Sequence, residues 1–107
     1  MPETRELLAE KVRAKDPEAL ADFIETVRYQ LLAFIERQLG AALRRKVEPD
    51  DIFQEVSVEA VRSLKDIDLS NRDPFGWLCQ VAERRIVDAH RHFFGAQKRD
   101  AGKEVGL

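Results

Sequence analysis

A single cysteine, five glycines and four prolines are spread over 107 residues, so little in this chain could staple it or interrupt it. Cys79 cannot close an internal disulfide and has no cysteine neighbour at metal-ligand spacing; a reducing cytoplasm is the expected setting. No apolar run reaches the length of a signal h-region or a membrane span, and the N-terminus, MPETRELLAEKVRAK, is charged throughout, so no membrane contact is expected. Strand-like alternation, internal repeats and a glycine-rich phosphate loop are all missing. The two histidines, His90 and His92, stand two apart on a helical stretch and do not share a face for a metal. Adjacent carboxylates such as Asp50 and Asp51 read as partners of a helix N-terminus rather than as an acid/base pair. The expectation is a protein that is not an enzyme and uses neither cofactor nor metal.

What remains is an ordinary apolar fraction, 44%, and a high charged fraction, 36%, arranged at helical period. This predicts a single all-α domain, a bundle of about four helices, three long ones and a short N-terminal one. The short helix covers residues 4–14, with Leu7, Leu8 and Val12 on one side. Asp16-Pro17-Glu18 opens a long helix reaching Gly40, whose stripe runs through Leu20, Phe23, Ile24, Val27, Leu31, Phe34 and Ile35, broadened by Tyr29 and Leu32. A basic connector, residues 41–46, leads to Glu48-Pro49-Asp50 and a third helix that turns Ile52, Phe53, Val56, Ala60 and Leu64 to the core. Residues 65–73, KDIDLSNRD, break the period and read as a loop. The last helix, residues 74–99, starts on Asp73-Pro74 and would be about 39 Å long if continuous. Residues 1–100 form the domain, and residues 101–107 a flexible tail or the start of a linker.

Two surfaces stand out. On the third helix Asp51, Gln54, Glu55, Val58 and Arg62 form one outward strip, an apolar residue ringed by polar groups, which the wheel leaves open between a small docking surface and an ordinary exposed valine. On the last helix Phe75, Leu78, Cys79, Ala82, Ile86, Ala89 and Phe93 make the buried face. Trp77, Arg84, Arg91 and Lys98 recur every seventh residue on the other side as a cationic row headed by an aromatic ring. Such a row suits a nucleic-acid strand, with Trp77 stacking on a base; the alternative is that a tryptophan so near a helix start belongs to the core. Ser70, Asn71 and Arg72 of the loop could add hydrogen-bonding groups at its mouth. Charge follows the same division. Residues 47–73 carry eight acids against Arg62, Lys65 and Arg72, a net −5, whereas residues 84–103 carry six bases against Asp88 and Asp100, a net +4. Two different partners are implied. With a pI near 5.7, the chain lacks the basic balance of a protein that binds duplex DNA unaided.

The order of these pieces, a helix bearing DDIFQEV, a loop, then FGWLCQVAERRIVDAHRHF with a basic finish, resembles region 2 of the extracytoplasmic-function (ECF) sigma factors of the sigma-70 family. These are bacterial initiation factors that bring RNA polymerase to promoters. The resemblance spans residues 16–99. It implies docking on the clamp coiled coil of the largest subunit of core RNA polymerase through Asp51, Gln54, Glu55 and Val58, with Arg62 in the same strip. It further implies recognition and melting of the minus-ten promoter element, whose single-stranded non-template strand would meet Ser70, Asn71, Arg72, Trp77, Gln80, Arg84 and Arg91, with one base flipped into the loop. An anti-sigma factor is a possible further partner. Two departures are visible. The family's helix-turn-helix domain is missing, so the chain reads as a domain excised from a longer protein, the alternative being an unusual standalone protein, and the loop carries Asp66, Asp68 and Asp73, awkward beside phosphates. The alternative is a sigma-like interaction module, a decoy or regulator without DNA contact, which would keep the strip around Gln54 and not need Trp77 with Arg84.

Overall fold

Three helices of the computed structural model, which describes residues 4–95, begin on an acid followed by proline. The Asp16 carboxylate accepts the backbone N–H groups of Glu18 and Ala19 at 3.0 and 3.3 Å, and Asp73 accepts that of Phe75 at 3.3 Å. Proline forfeits nothing there, because the first N–H groups of a helix have no intrahelical acceptor. Glu48 makes no side-chain cap bond, and Asp50 and Asp51 sit in the first turn instead.

The order is α1 (Arg5–Arg13), α2 (Pro17–Thr26), α3 (Arg28–Arg44), α4 (Pro49–Ser63), a 3-10 turn (Leu64–Asp66), α5 (Pro74–His90) and a π-type turn (Arg91–Gly95). Among the described residues five α-helices therefore stand where about four were expected. The difference arises at Val27, whose φ of −101° and ψ of 12° divide the expected 17–40 helix in two. That break re-phases the second half. Leu31, Ile35, Leu39 and Leu43 form the buried row of α3, while Tyr29, expected in the stripe, is 82% exposed. Gly40, at φ 74° and ψ 167°, is not helical and breaks α3 where the sequence places the end of the long helix, and the connector carries a further helical turn to Arg44. Leu7 is also exposed, because α1 packs chiefly on α2 and buries only Leu8, Ala9 and Val12.

The remaining helices close around one apolar cluster, with α3 and α4 packed on α5 and on each other. Leu20, Phe23, Ile52, Val56 and Leu78 are among its buried members, each stabilising the fold by about 1.5–3 kcal/mol. No charged side chain is buried among the described residues. The α-helical part of the last helix ends at His90, and the expected site residue Lys98 lies outside the described residues.

Candidate functional site

On α4 the core-facing residues Ile52, Phe53, Val56 and Ala60 leave Asp51, Gln54, Glu55, Val58 and Arg62 all exposed, as the helical period predicts. Val58 is 54% exposed, and Val61, one turn on, is exposed beside it. Val61 extends the apolar centre of the strip and escaped the sequence reading, although its i, i+3 spacing from Val58 was there to be seen. The start of α4 is fixed by Arg28, which pairs with Asp50 at 3.5 Å and lies 4.8 Å over the Phe53 ring.

Glu55 differs from its neighbours in the strip because it faces α5. Its carboxylate is 3.8 Å from Arg85, which also meets Glu59 at 2.7 Å, and Glu59 reaches Arg84 at 4.0 Å. Part of the acidic middle is thus neutralised by the basic end across the α4–α5 contact. The sequence division into an acidic and a basic segment is real, but the two halves are partners of each other before they meet anything else.

Beside this contact an open groove of about 720 Å³ runs along α5. Arg72, Trp77, Gln80, Arg84 and Arg91 line it, so five of the expected nucleic-acid residues come together. Ile67 and Val87 supply apolar wall, and Glu83 and Asp88 temper the three arginines. Arg72 donates a hydrogen bond to the Gln80 side-chain oxygen, which ties the loop to the helix.

Trp77 does not head an exposed row. It is 1% exposed and the largest fully buried side chain among the described residues, so although it lines the groove it leaves almost no ring surface on which a base could stack. The wheel placed it correctly relative to Arg84, about 20° away. Trp77 belongs to the same apolar cluster as the buried loop residue Leu69, and half-buried Ile67 packs against that cluster and lines the groove beside it. The buried face is centred on Trp77, Leu78, Val81, Ala82 and Ile86, with Phe75, Cys79, Ala89 and Phe93 only half-buried at its edge.

Ser70 and Asn71 are exposed at the loop tip and are not part of the groove wall. The Asp68 carboxylate accepts both the backbone N–H of Ser70 at 3.0 Å and its hydroxyl at 2.7 Å. These two bonds, the backbone one first, hold the Asp68 carboxyl below its ordinary range. Asp73 is used as the cap of α5, so two of the three loop acids have structural employment.

Burial, with lesser contributions from Glu83 and Asp73, pushes the Cys79 thiol up from its ordinary value. Thiolate is the reactive species, so Cys79 should react with a disulfide reagent such as DTNB at pH 7.5 more slowly than free glutathione does. A faster reaction would show that the half-buried position is open. Among the described residues no cluster of His, Cys, Asp and Glu could hold a metal ion, and no helix is long and apolar enough to cross a membrane.

Residues 15–92 match the Sigma-70 region 2 family model, and the chain belongs to that family. Its similar relatives are the ECF RNA polymerase sigma factor SigD of Mycobacterium bovis and of two strains of Mycobacterium tuberculosis. Each is 29% identical over 85 residues, which is 79% of this chain and 40% of the relative. The chain thus spans about two fifths of the length of these relatives. No solved structure matches it.

Proposed function

We propose that this domain serves in transcription initiation by docking on core RNA polymerase through the outer strip of α4 and holding the non-template single strand of the minus-ten element along α5. The observation that carries this reading is the groove lined by Arg72, Gln80, Arg84 and Arg91, which lies on the helix adjoining the strip. One partner can therefore bring the other. With Trp77 withdrawn into the core, the grip on the strand comes from arginine–phosphate contacts, with Ile67 and Val87 as the apolar surface for a base face. Ser70 and Asn71 at the loop tip and Arg72 at its root would meet the flipped base. Pairing between the α4 acids and Arg84 and Arg85 weakens the field the free domain presents, which accounts for dependence on polymerase.

Fluorescence anisotropy with a single-stranded minus-ten oligonucleotide, with and without core polymerase, tests this. Binding should require polymerase, and duplex DNA alone should bind weakly at physiological salt. Arg84→Ala, which removes a mostly exposed guanidinium, should lower affinity within the complex and flatten its logarithmic salt dependence by about 0.7, the share of one phosphate contact on a single strand. Unchanged slope and affinity would remove Arg84 from the strand path. Submicromolar duplex binding without polymerase would point to a general DNA binder instead.

A further inference from the structure

We infer that Arg13 and Lys15, at the end of α1, are positioning residues that hold the 64–73 loop in its working shape. What the loop reads rests on the proposed function; that it is held from α1 is a property of the free chain.

The starting point is a backbone anomaly. Helix α1 closes with the hydrogen bonds of a Schellman motif, Asp16 N–H to Lys11 C=O at 3.1 Å and Lys15 N–H to Val12 C=O at 2.9 Å. The residue between must be left-handed, and glycine is the usual occupant because it has no Cβ to clash. Here it is Lys15, at φ 72°, the one non-glycine residue with positive φ among the described residues. A lysine in that conformation needs a compensating contact, and the structure supplies one. Its Nζ donates to the Leu64 carbonyl at 2.9 Å, across 49 residues of sequence. Leu64 opens the 3-10 turn in which α4 gives way to the loop, so the ammonium adds a charge-assisted donor to a carbonyl at the negative end of the helix.

Arg13 repeats the arrangement at the other end of the loop. Its Nε donates to the Arg72 carbonyl at 3.1 Å, 59 residues away. Both side chains are half-buried and both bonds are charge-assisted, which makes them stronger than neutral ones and less screened than surface contacts. Between these two grips the loop is tightened by Leu69 in the core, by Ser70 on Asp68, and by Arg72 N–H on the Leu69 carbonyl at 3.1 Å. The consequence for the groove is direct. With its carbonyl held by Arg13, Arg72 extends its guanidinium to Gln80 across the groove mouth. Residues of α1 thereby set where a groove residue on a different segment can reach. The family match begins at residue 15, so Arg13 acts from outside it.

The test uses the full chain, with Lys15→Gly, Arg13→Ala, their combination, and Arg13→Lys as the conservative variant. In the free protein, NMR order parameters for the amides of Ser70, Asn71 and Arg72 should fall in the double variant from about 0.85, typical of ordered backbone, toward 0.6 or below, while those of α3 and α5 stay unchanged. Arg13→Lys should restore much of the order at Arg72. Lys15→Gly should leave the melting temperature unchanged or raise it, since glycine takes the left-handed conformation freely. Loosening of the loop without loss of stability is what a packing role for Lys15 does not produce. In a second arm, a randomised 12-nucleotide single-strand library is selected on core polymerase carrying each variant. The double variant should lose about fivefold or more of the enrichment at the position that wild type reads most strongly, the lower end of coupling between linked sites, and keep polymerase binding. Wild-type order parameters for the loop in the double variant would overturn the inference. Failure of the wild-type complex to enrich any base would instead overturn the proposed reading of DNA, with the order parameters still deciding whether Arg13 and Lys15 hold the loop.

Discussion

Trp77→Ala should lower the unfolding free energy by about 3–5 kcal/mol, the range for truncating a buried aromatic ring. Trp77 is buried together with Leu69, Leu78, Val81 and Ala82, and an indole buries on the order of 200 Å² that no neighbour in a packed core can fill after truncation. Domains of this size have about 5–15 kcal/mol in total, so the variant should be partly unfolded near 37 °C. Trp77→Phe, which keeps much of the volume, should be milder. Urea melts monitored by circular dichroism measure both. A loss below about 1 kcal/mol for the alanine variant would mean that the ring is not a core member, and the exposed stacking role would return. Because burial explains the residue, single-strand affinity of the folded fraction should change far less than stability does.

The second large effect is expected on polymerase binding. Gln54→Ala combined with Val58→Asp should weaken retention on core polymerase by about 30-fold or more, since a central interface residue contributes about 2 kcal/mol. Both side chains are exposed and make no contact that holds α4 in place, so the circular dichroism spectrum and melting temperature should stay near wild type. Glu55→Lys is a poorer probe than its place in the strip suggests. It would set a positive charge beside Arg85, disturbing the pairing with Glu59 and the α4–α5 contact along with any docking. Unchanged retention of the Gln54/Val58 double variant would take the outer face of α4 out of the interface.

Much of this site was legible before any coordinates. The DDIFQEV helix shows its inner and outer faces by period alone, and all five outward residues are exposed. The loop over residues 65–73 and the Asp73-Pro74 start of α5 are dictated by turn formers and capping, signals that act within a few residues. Three of the four residues placed on the cationic row are described, and all three, Trp77, Arg84 and Arg91, line the same groove. Val27 is different: nothing in its own chemistry breaks a helix, and the break expresses how α2 and α3 must turn to cover the core.

By itself, then, the amino-acid order determined the helices that begin on a cap and a proline, the two faces of α4, the absence of strand structure and the division of charge. Each depends on neighbours no more than a turn or two apart, which is the range over which capping, dipole and periodicity operate. Tertiary structure decided which side of α5 is closed. Trp77 and Arg84 lie almost on one line along the helix, yet Trp77 is a member of the core and Arg84 is exposed, a difference set by what packs against each turn of α5 and not by the helical period. It also decided that Glu55 and Glu59 meet Arg84 and Arg85, and that Arg13 and Lys15 hold carbonyls 59 and 49 residues away. Contacts between segments so far apart leave no local pattern in the chain, since they depend on the shape of the packed core that brings the segments together.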